Sequence, residues 1–256
     1  MIKTESTEKV NDAKSSREER FSFLKTQFRK LQVLGLVTKI PTACGHYCHL
    51  GSLSSEDHII VIPDDVEDLN KEDYGENNLV FTEHIRELQG KITVLGGKNV
   101  KNARAMFTGC KAGSLDLSLF NTANVEDMSF MFYACQAESI DLSSFNTSKV
   151  WNMDNMFSEC RAKSLDLSSF DTSNLKRMEK MFYGIQVPDL DLSSFDTGKV
   201  ENMYCMFCES GSDFIDLSSF RTGSIKNMNQ MFAHCPSQIK IRATDSNILR
   251  EYNERI

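Results

Sequence analysis

The chain has 256 residues, 40% of them apolar and 25% charged, an ordinary balance for a chain that folds around a core. Its formal net charge of -7 argues against general nucleic-acid binding, which needs a positive surface to neutralise phosphates. The sequence holds no apolar run of the roughly 18 residues that a membrane-spanning helix requires, so no span is expected.

Residues 1–18 are polar and rich in charge and are expected to form a disordered tail. They lack the apolar stretch of about 7 to 15 residues that a secretory signal needs, which points to a cytoplasmic protein, or to the cell surface if a signal has been removed. Residues 19–80 form an N-terminal helix and capping region. Phe21, Phe23, Leu24, Phe28, Leu31, Leu34 and Leu36 give an amphipathic helix with Arg29 and Lys30 on its wetter side. Left uncovered, such a stripe invites aggregation, so the helix is expected to shield the open edge of the following array, with docking of a partner as the alternative.

After Pro41, the residues Cys44, His46, Cys48 and His49 gather four metal-ligating side chains. Structural zinc sites usually pair two such clusters across a longer loop, and no second cluster lies nearby, so a packed loop without a metal or other cofactor is expected. Zinc-dependent activity seated in this loop is the alternative, and an enzyme reading rests on it. His58 to Ile62 reads as a strand, and the acidic stretch Asp64, Asp65, Glu67, Asp68, Glu72, Asp73 and Glu76 as a solvated loop. A degenerate first coil follows. In it Ile92, Leu95 and Val100 take the places of Leu117, Phe120 and Val125, and Phe81 stands where a Met would.

From Met106 the pair Met-Phe recurs at Met131, Met156, Met181, Met206 and Met231, always 25 residues apart. A fixed period of this length means one supersecondary unit that cannot bury its apolar side alone and must stack on its neighbours. Within each block LDLSSF alternates apolar and polar residues, the mark of a short strand. Val125, Met128, Met131, Phe132 and Cys135 then recur at spacings that place them on one helical face, so each block reads as strand, turn and short helix. Thr122, Thr147, Thr172, Thr197 and Thr222 precede these helices as structural caps. Cys110, Cys135, Cys160 and Cys235 occupy one column, filled by Ile185 and Ser210 in the other blocks, which suits a small buried position.

The pattern MFxxC, LDLSSFDT, VxxMxxMF resembles the BspA-like leucine-rich repeats of bacterial and protist surface proteins over residues 81–242. The resemblance implies an α/β leucine-rich-repeat solenoid, with a parallel β-sheet on its concave face and short helices on the other, and a role in adhesion or protein recognition. Residues 243–256 keep helical spacing through Ile248, Leu249 and Tyr252 and are expected to cap the last coil.

No nucleophilic constellation emerges, because catalysis needs one unique arrangement whereas these polar columns recur in every block. Cys205 and Cys208, spaced CxxC, could bind metal or form a redox pair, but neither sits in a special column. The column Asp116, Asp141, Asp166, Asp191 and Asp216 should stand as a row of carboxylates, screened by Ser118, Ser143, Ser168, Ser193 and Ser218 or open to a basic partner. Columns that vary between blocks are the other candidates, with Trp151 first, then Tyr133 and Tyr183. The function expected is a non-enzymatic protein-protein interaction module, an intracellular recognition or inhibitor protein, with an adhesin-like surface protein as the alternative. Its partner is a protein, with a basic surface if the Asp row is the contact.

Overall fold

A computed structural model describes residues 3–42, 45–54, 56–70 and 80–255. Helix α1 runs from Lys3 to Val33, starting inside the segment expected to be a disordered tail. Strands β1 (Val37–Pro41), β2 (Tyr47–Ser52) and β3 (Asp57–Ile62) lead through a short α2 (Val80–Ile85) to β4 (Lys91–Gly96), β5 (Ser114–Phe120) and β6 (Ser139–Asp141). These six strands make one sheet in chain order. The pairs β1–β2 and β2–β3 are antiparallel, and every later pair is parallel. A second sheet joins β7 (Asp189–Asp191), β8 (Phe214–Leu217) and β9 (Lys240–Ala243) in parallel, and α3 (Ser246–Asn253) follows. Between the two sheets Leu165–Leu167 keeps its place in the stack without ladder pairing.

The architecture is a parallel-sheet β-solenoid of about six turns with few helices. Leu115, Leu117, Ile140, Leu142, Leu190, Leu192, Ile215 and Leu217 all point inward and are buried. They meet two aromatic ladders. Phe107, Phe132, Phe157, Phe182, Phe207 and Phe232 stack with ring centroids 5.4–5.8 Å apart. Phe120, Phe145, Phe170, Phe195 and Phe220 follow at 6.1–6.4 Å. The Met column fills the space between them, as at Met131, Met156, Met181 and Met206, each wholly buried. Cys110, Cys135 and Cys160 form a buried thiol column, in which hydrogen bonds with Cys110 and Cys160, reinforced by burial, push the Cys135 thiol far up.

Apart from α2 in the first coil, the short helices expected behind the sheet are absent among the described residues. Their place is taken by successive turns, in which alternate amides bond backward over three residues, as Cys135 N–H does to the Phe132 carbonyl at 3.1 Å. The amides between them reach across to the next coil: Met128, Phe130, Phe132 and Ala134 donate to the carbonyls of Asn152, Asp154, Met156 and Ser158 at 2.9–3.0 Å. Left-handed residues at Phe130 (φ 58°) and Ala134 (φ 50°) aim those amides outward, and the same two sites recur in each coil. A right-handed helix needs negative φ throughout, and in the left-handed region Cβ crowds the following carbonyl at roughly 1–2 kcal/mol per residue. The inter-coil bonds offset that cost.

The Thr column also differs from a set of helix caps. Thr172, buried at the turn after the strand segment, takes the Asp196 N–H at 2.7 Å and donates to the Asp196 carbonyl at 3.0 Å. Its hydroxyl therefore splices two coils together. The first coil is shifted from the expected alignment. Ile92 pairs with Leu115 rather than Leu117, and Gly96 with Phe120, after an irregularity between Thr93 and Leu95. Gly96 (φ 91°) tolerates this because a Cβ there would lie 2.2 Å from the Ile62 carbonyl oxygen.

The two ends are closed by different devices. The N-terminal edge ends on the β1–β2 hairpin, whose inward Ile40 and Cys48 join the main core. The helix expected to cap that edge, α1, packs on the outward sheet face, where Phe28 joins Ile59, Leu95 and Leu119, with Phe21 and Leu24 alongside, and where Phe28 and Leu31 lie against Gly51 of β2. At the other end Ile248 of α3 enters the core, and Tyr252 meets the last ladder ring, Phe232, edge-on at 5.7 Å while its hydroxyl donates to the Ile239 carbonyl.

Candidate protein-binding face

Strand alternation turns the Asp column outward while the flanking Leu residues go to the core. In every coil one carboxylate oxygen, Oδ1, is fixed by the Ser two residues on. At Asp166 it accepts from the Ser168 N–H at 3.1 Å and the Ser168 hydroxyl at 2.6 Å, and those two bonds hold the carboxyl below its usual range. The Oδ1 of Asp141 likewise accepts from the Ser143 N–H and hydroxyl, that of Asp191 from the Ser193 N–H, and that of Asp216 from the Ser218 N–H. The serines thus do more than screen the row: they set the carboxylates in one orientation.

The second oxygen distinguishes the coils. At the first position Asp116 Oδ2 receives Arg20 of α1 and Lys91 Nζ, the latter at 3.1 Å. At the last position Asp216 Oδ2 receives Arg242 Nη1 at 2.8 Å. Burial works to raise the Asp216 carboxyl, but Ser218 and Arg242 together hold it down. Asp116 and Asp216 are 6% exposed, whereas Asp166 and Asp191 face solvent and Asp141 is half-buried. Among the described residues, Oδ2 of Asp141, Asp166 and Asp191 has no hydrogen-bond or ion-pair partner.

The aromatic candidates are not brought to this row. Trp151, 39% exposed, lies on the turn side of the coil, beside a groove bordered by Lys176, Glu201 and Lys226. Tyr133 is half-buried with its ring edge-on to Phe130 at 5.8 Å. Tyr183 donates to Glu209 Oε1 at 2.5 Å, and that bond to a carboxylate pushes its hydroxyl up to about 12.

The possible metal ligands diverge. Cys48 points into the core, and His49, next to it on β2, takes the opposite face with its ring 6.3 Å from Phe28. His46 pairs with Asp65 at 2.7 Å, and Cys44 lies outside the described residues. Of the acidic stretch, Asp65 and Glu67 are paired with His46 and Lys101, while Glu72, Asp73 and Glu76 lie outside the described residues. Cys205 and Cys208 are both buried. Burial and the neighbouring Cys205 lift the Cys208 thiol to about 12, far from a reactive thiolate. No helix among the described residues is long and apolar enough to cross a membrane.

Two residues that shape this face were not singled out from the sequence. Arg20 was legible only as one charge on a polar helix start. Leu119 carried a signal, since it stands where the other blocks have Ser144, Ser169, Ser194 and Ser219, and it is the apolar footing on which α1 rests.

No match was found among the curated proteins, and none among the solved structures. The family described as "Mycoplasma protein of unknown function, DUF285" matches over residues 76–189 and again over 138–244, stretches that together contain β4 to β9 and every coil between them. With well over half its length covered by that pattern, the chain belongs to the DUF285 family.

Proposed function

We propose that the protein is a non-enzymatic recognition module whose outward sheet face receives a basic helix of a partner protein along Asp141, Asp166 and Asp191. One observation carries this reading. At both ends of the row the open carboxylate oxygen is filled by a guanidinium of the chain itself, and the three between keep the same geometry with that oxygen unfilled. Parallel strands repeat about every 4.8 Å and a helix turns once every ~5.4 Å, so Arg residues three or four apart on a partner helix would meet successive carboxylates. The free cysteines Cys48, Cys110, Cys135, Cys160, Cys205, Cys208 and Cys235 fit a reducing compartment and so favour an intracellular recognition or inhibitor role. The resemblance to BspA-like leucine-rich repeats favours an adhesin-like setting at the cell surface, and protease access on intact cells separates the two.

The test uses a labelled helical peptide with Arg at i, i+4 and i+7, titrated against the full chain by fluorescence anisotropy. The triple variant D141N/D166N/D191N should bind at least tenfold more weakly and lose most of the salt dependence. Unchanged affinity in that variant would sink the reading.

A further inference from the structure

Between α1 and the ends of β4 and β5 lies a cavity of about 500 Å3, inside the ~300–1,000 Å3 range of small-ligand sites. Phe21 and Leu119 give it an apolar floor. Around that floor stand Arg17 and Lys25, which share one stripe of α1 with Phe21 at four-residue spacing, and Lys98 from the loop after β4. None of these three cations makes an ion pair among the described residues, and Lys25 rests over the Phe21 ring at 4.6 Å. The acids at the rim are Glu18 and Asp64.

Asn121 completes the wall. Its Oδ1 accepts from the Ala123 N–H at 3.0 Å, which leaves the Nδ2 donors without a partner among the described residues. Later coils carry Asp171 and Asp196 in this column, each with the same turn bond, to the Ser173 and Gly198 amides. The β5 coil thus presents a neutral donor where three cations gather, as the next coil does at Asn146 with the same turn bond but away from those cations, in a chain whose net charge is -7.

We propose that this cavity binds an aliphatic carboxylate, with its chain against Phe21 and Leu119 and its head facing Lys25, Lys98 and the Asn121 amide. Apolar burial supplies the affinity and the cations select the anion over a neutral alcohol of equal length. Because α1 forms one wall, the bound ligand also holds the helix on the sheet.

Calorimetric titration of the full chain with decanoate and with decanol tests this. Decanoate should bind saturably and at least tenfold tighter than decanol. Asn121→Asp, which installs the residue that two other coils already carry with the same turn bond, should weaken decanoate at least fivefold and leave decanol unchanged. Lys98→Glu should do the same. Trypsin cleavage at Arg17 and Lys25 should slow with decanoate present. Absence of saturable binding, equal affinity of decanoate for the parent chain and both variants, no preference over decanol, or faster cleavage, which would mean that the ligand displaces α1, each overturns the proposal.

Discussion

Asp116 and Asp166 occupy the same column, take the same kind of bond from a following Ser and differ in everything around them. Asp116 lies under α1, nearly buried, with Arg20 and Lys91 on its outer oxygen, while Asp166 has solvent there. The ends of the solenoid are built from contacts made once, and its middle from contacts made in every coil. A repeat supplies stability through its inward columns and leaves its outward ones uncommitted until some unique residue, such as Arg20 or Arg242, claims them. Where the chain has not claimed them, the surface is available for a partner.

The largest effect should come from breaking the shared columns. Phe157 stacks between Phe132 at 5.4 Å and Phe182 at 5.8 Å, so Phe157→Ala should cost about 3–5 kcal/mol in urea unfolding. Because each coil rests only on its neighbours, weakening a central coil and both its interfaces should also broaden or split the transition of the array. At the C-terminal end, Asp245 caps α3 through the Asn247 and Ile248 amides and also binds the Thr222 amide and hydroxyl. Asp245→Ala should cost about 1–2 kcal/mol, read as an earlier thermal midpoint.

Phe28→Ala probes the other end and should separate the two kinds of region most clearly. It removes the buried anchor of α1, so proteolysis within residues 16–33 should rise sharply while the unfolding of the coils shifts by only about 0.5 kcal/mol. A coil transition that falls together with the helix would show that α1 supports the array.

The smallest effect is in acid. Ser168 bonds hold Asp166 low, Ser173 bonds do the same for Asp171, and Asp216 and Asp245 are held low against the pull of burial. For a depressed carboxylate the stabilisation is present above the unfolded value of about 3.9 and is lost as pH falls through the folded one. Asp154 opposes this, because burial raises it despite the bond from Arg177. Denaturant midpoints should therefore be level from about pH 5 to 8 and decline below about pH 4. A decline that begins above pH 5 would show that other groups govern acid stability.

The inward half of this fold was legible because a strict period makes each buried column announce itself several times. The turn face misled for a physical reason. Turns bonded over three residues bury side chains at nearly the spacing of one helical face, and most left-handed positions, such as Phe130, Asn155 and Lys180, carry no glycine to betray them, although Gly109 and Gly184 in the second left-handed column did. The Asp row was legible as a candidate, but its division into claimed and open members was not, because Arg20 and Arg242 lie far in sequence from the middle coils. The first coil slipped because its irregularity at Thr93 and Leu95 moves the pairing that an ungapped period assumes.

The forward reach of the turn amides has a consequence for how such a chain can change. Phe130 bonds to Asp154, Asn155 to Glu179 and Lys180 to Tyr204, always 24 residues ahead. One added or lost residue inside a coil would put every bond that spans it out of step, those joining that coil to its neighbours, whereas a whole coil could be spliced in without a single mismatched bond. The length of this molecule is therefore quantised, and its inheritance should record duplications of 25-residue cassettes between two fixed ends.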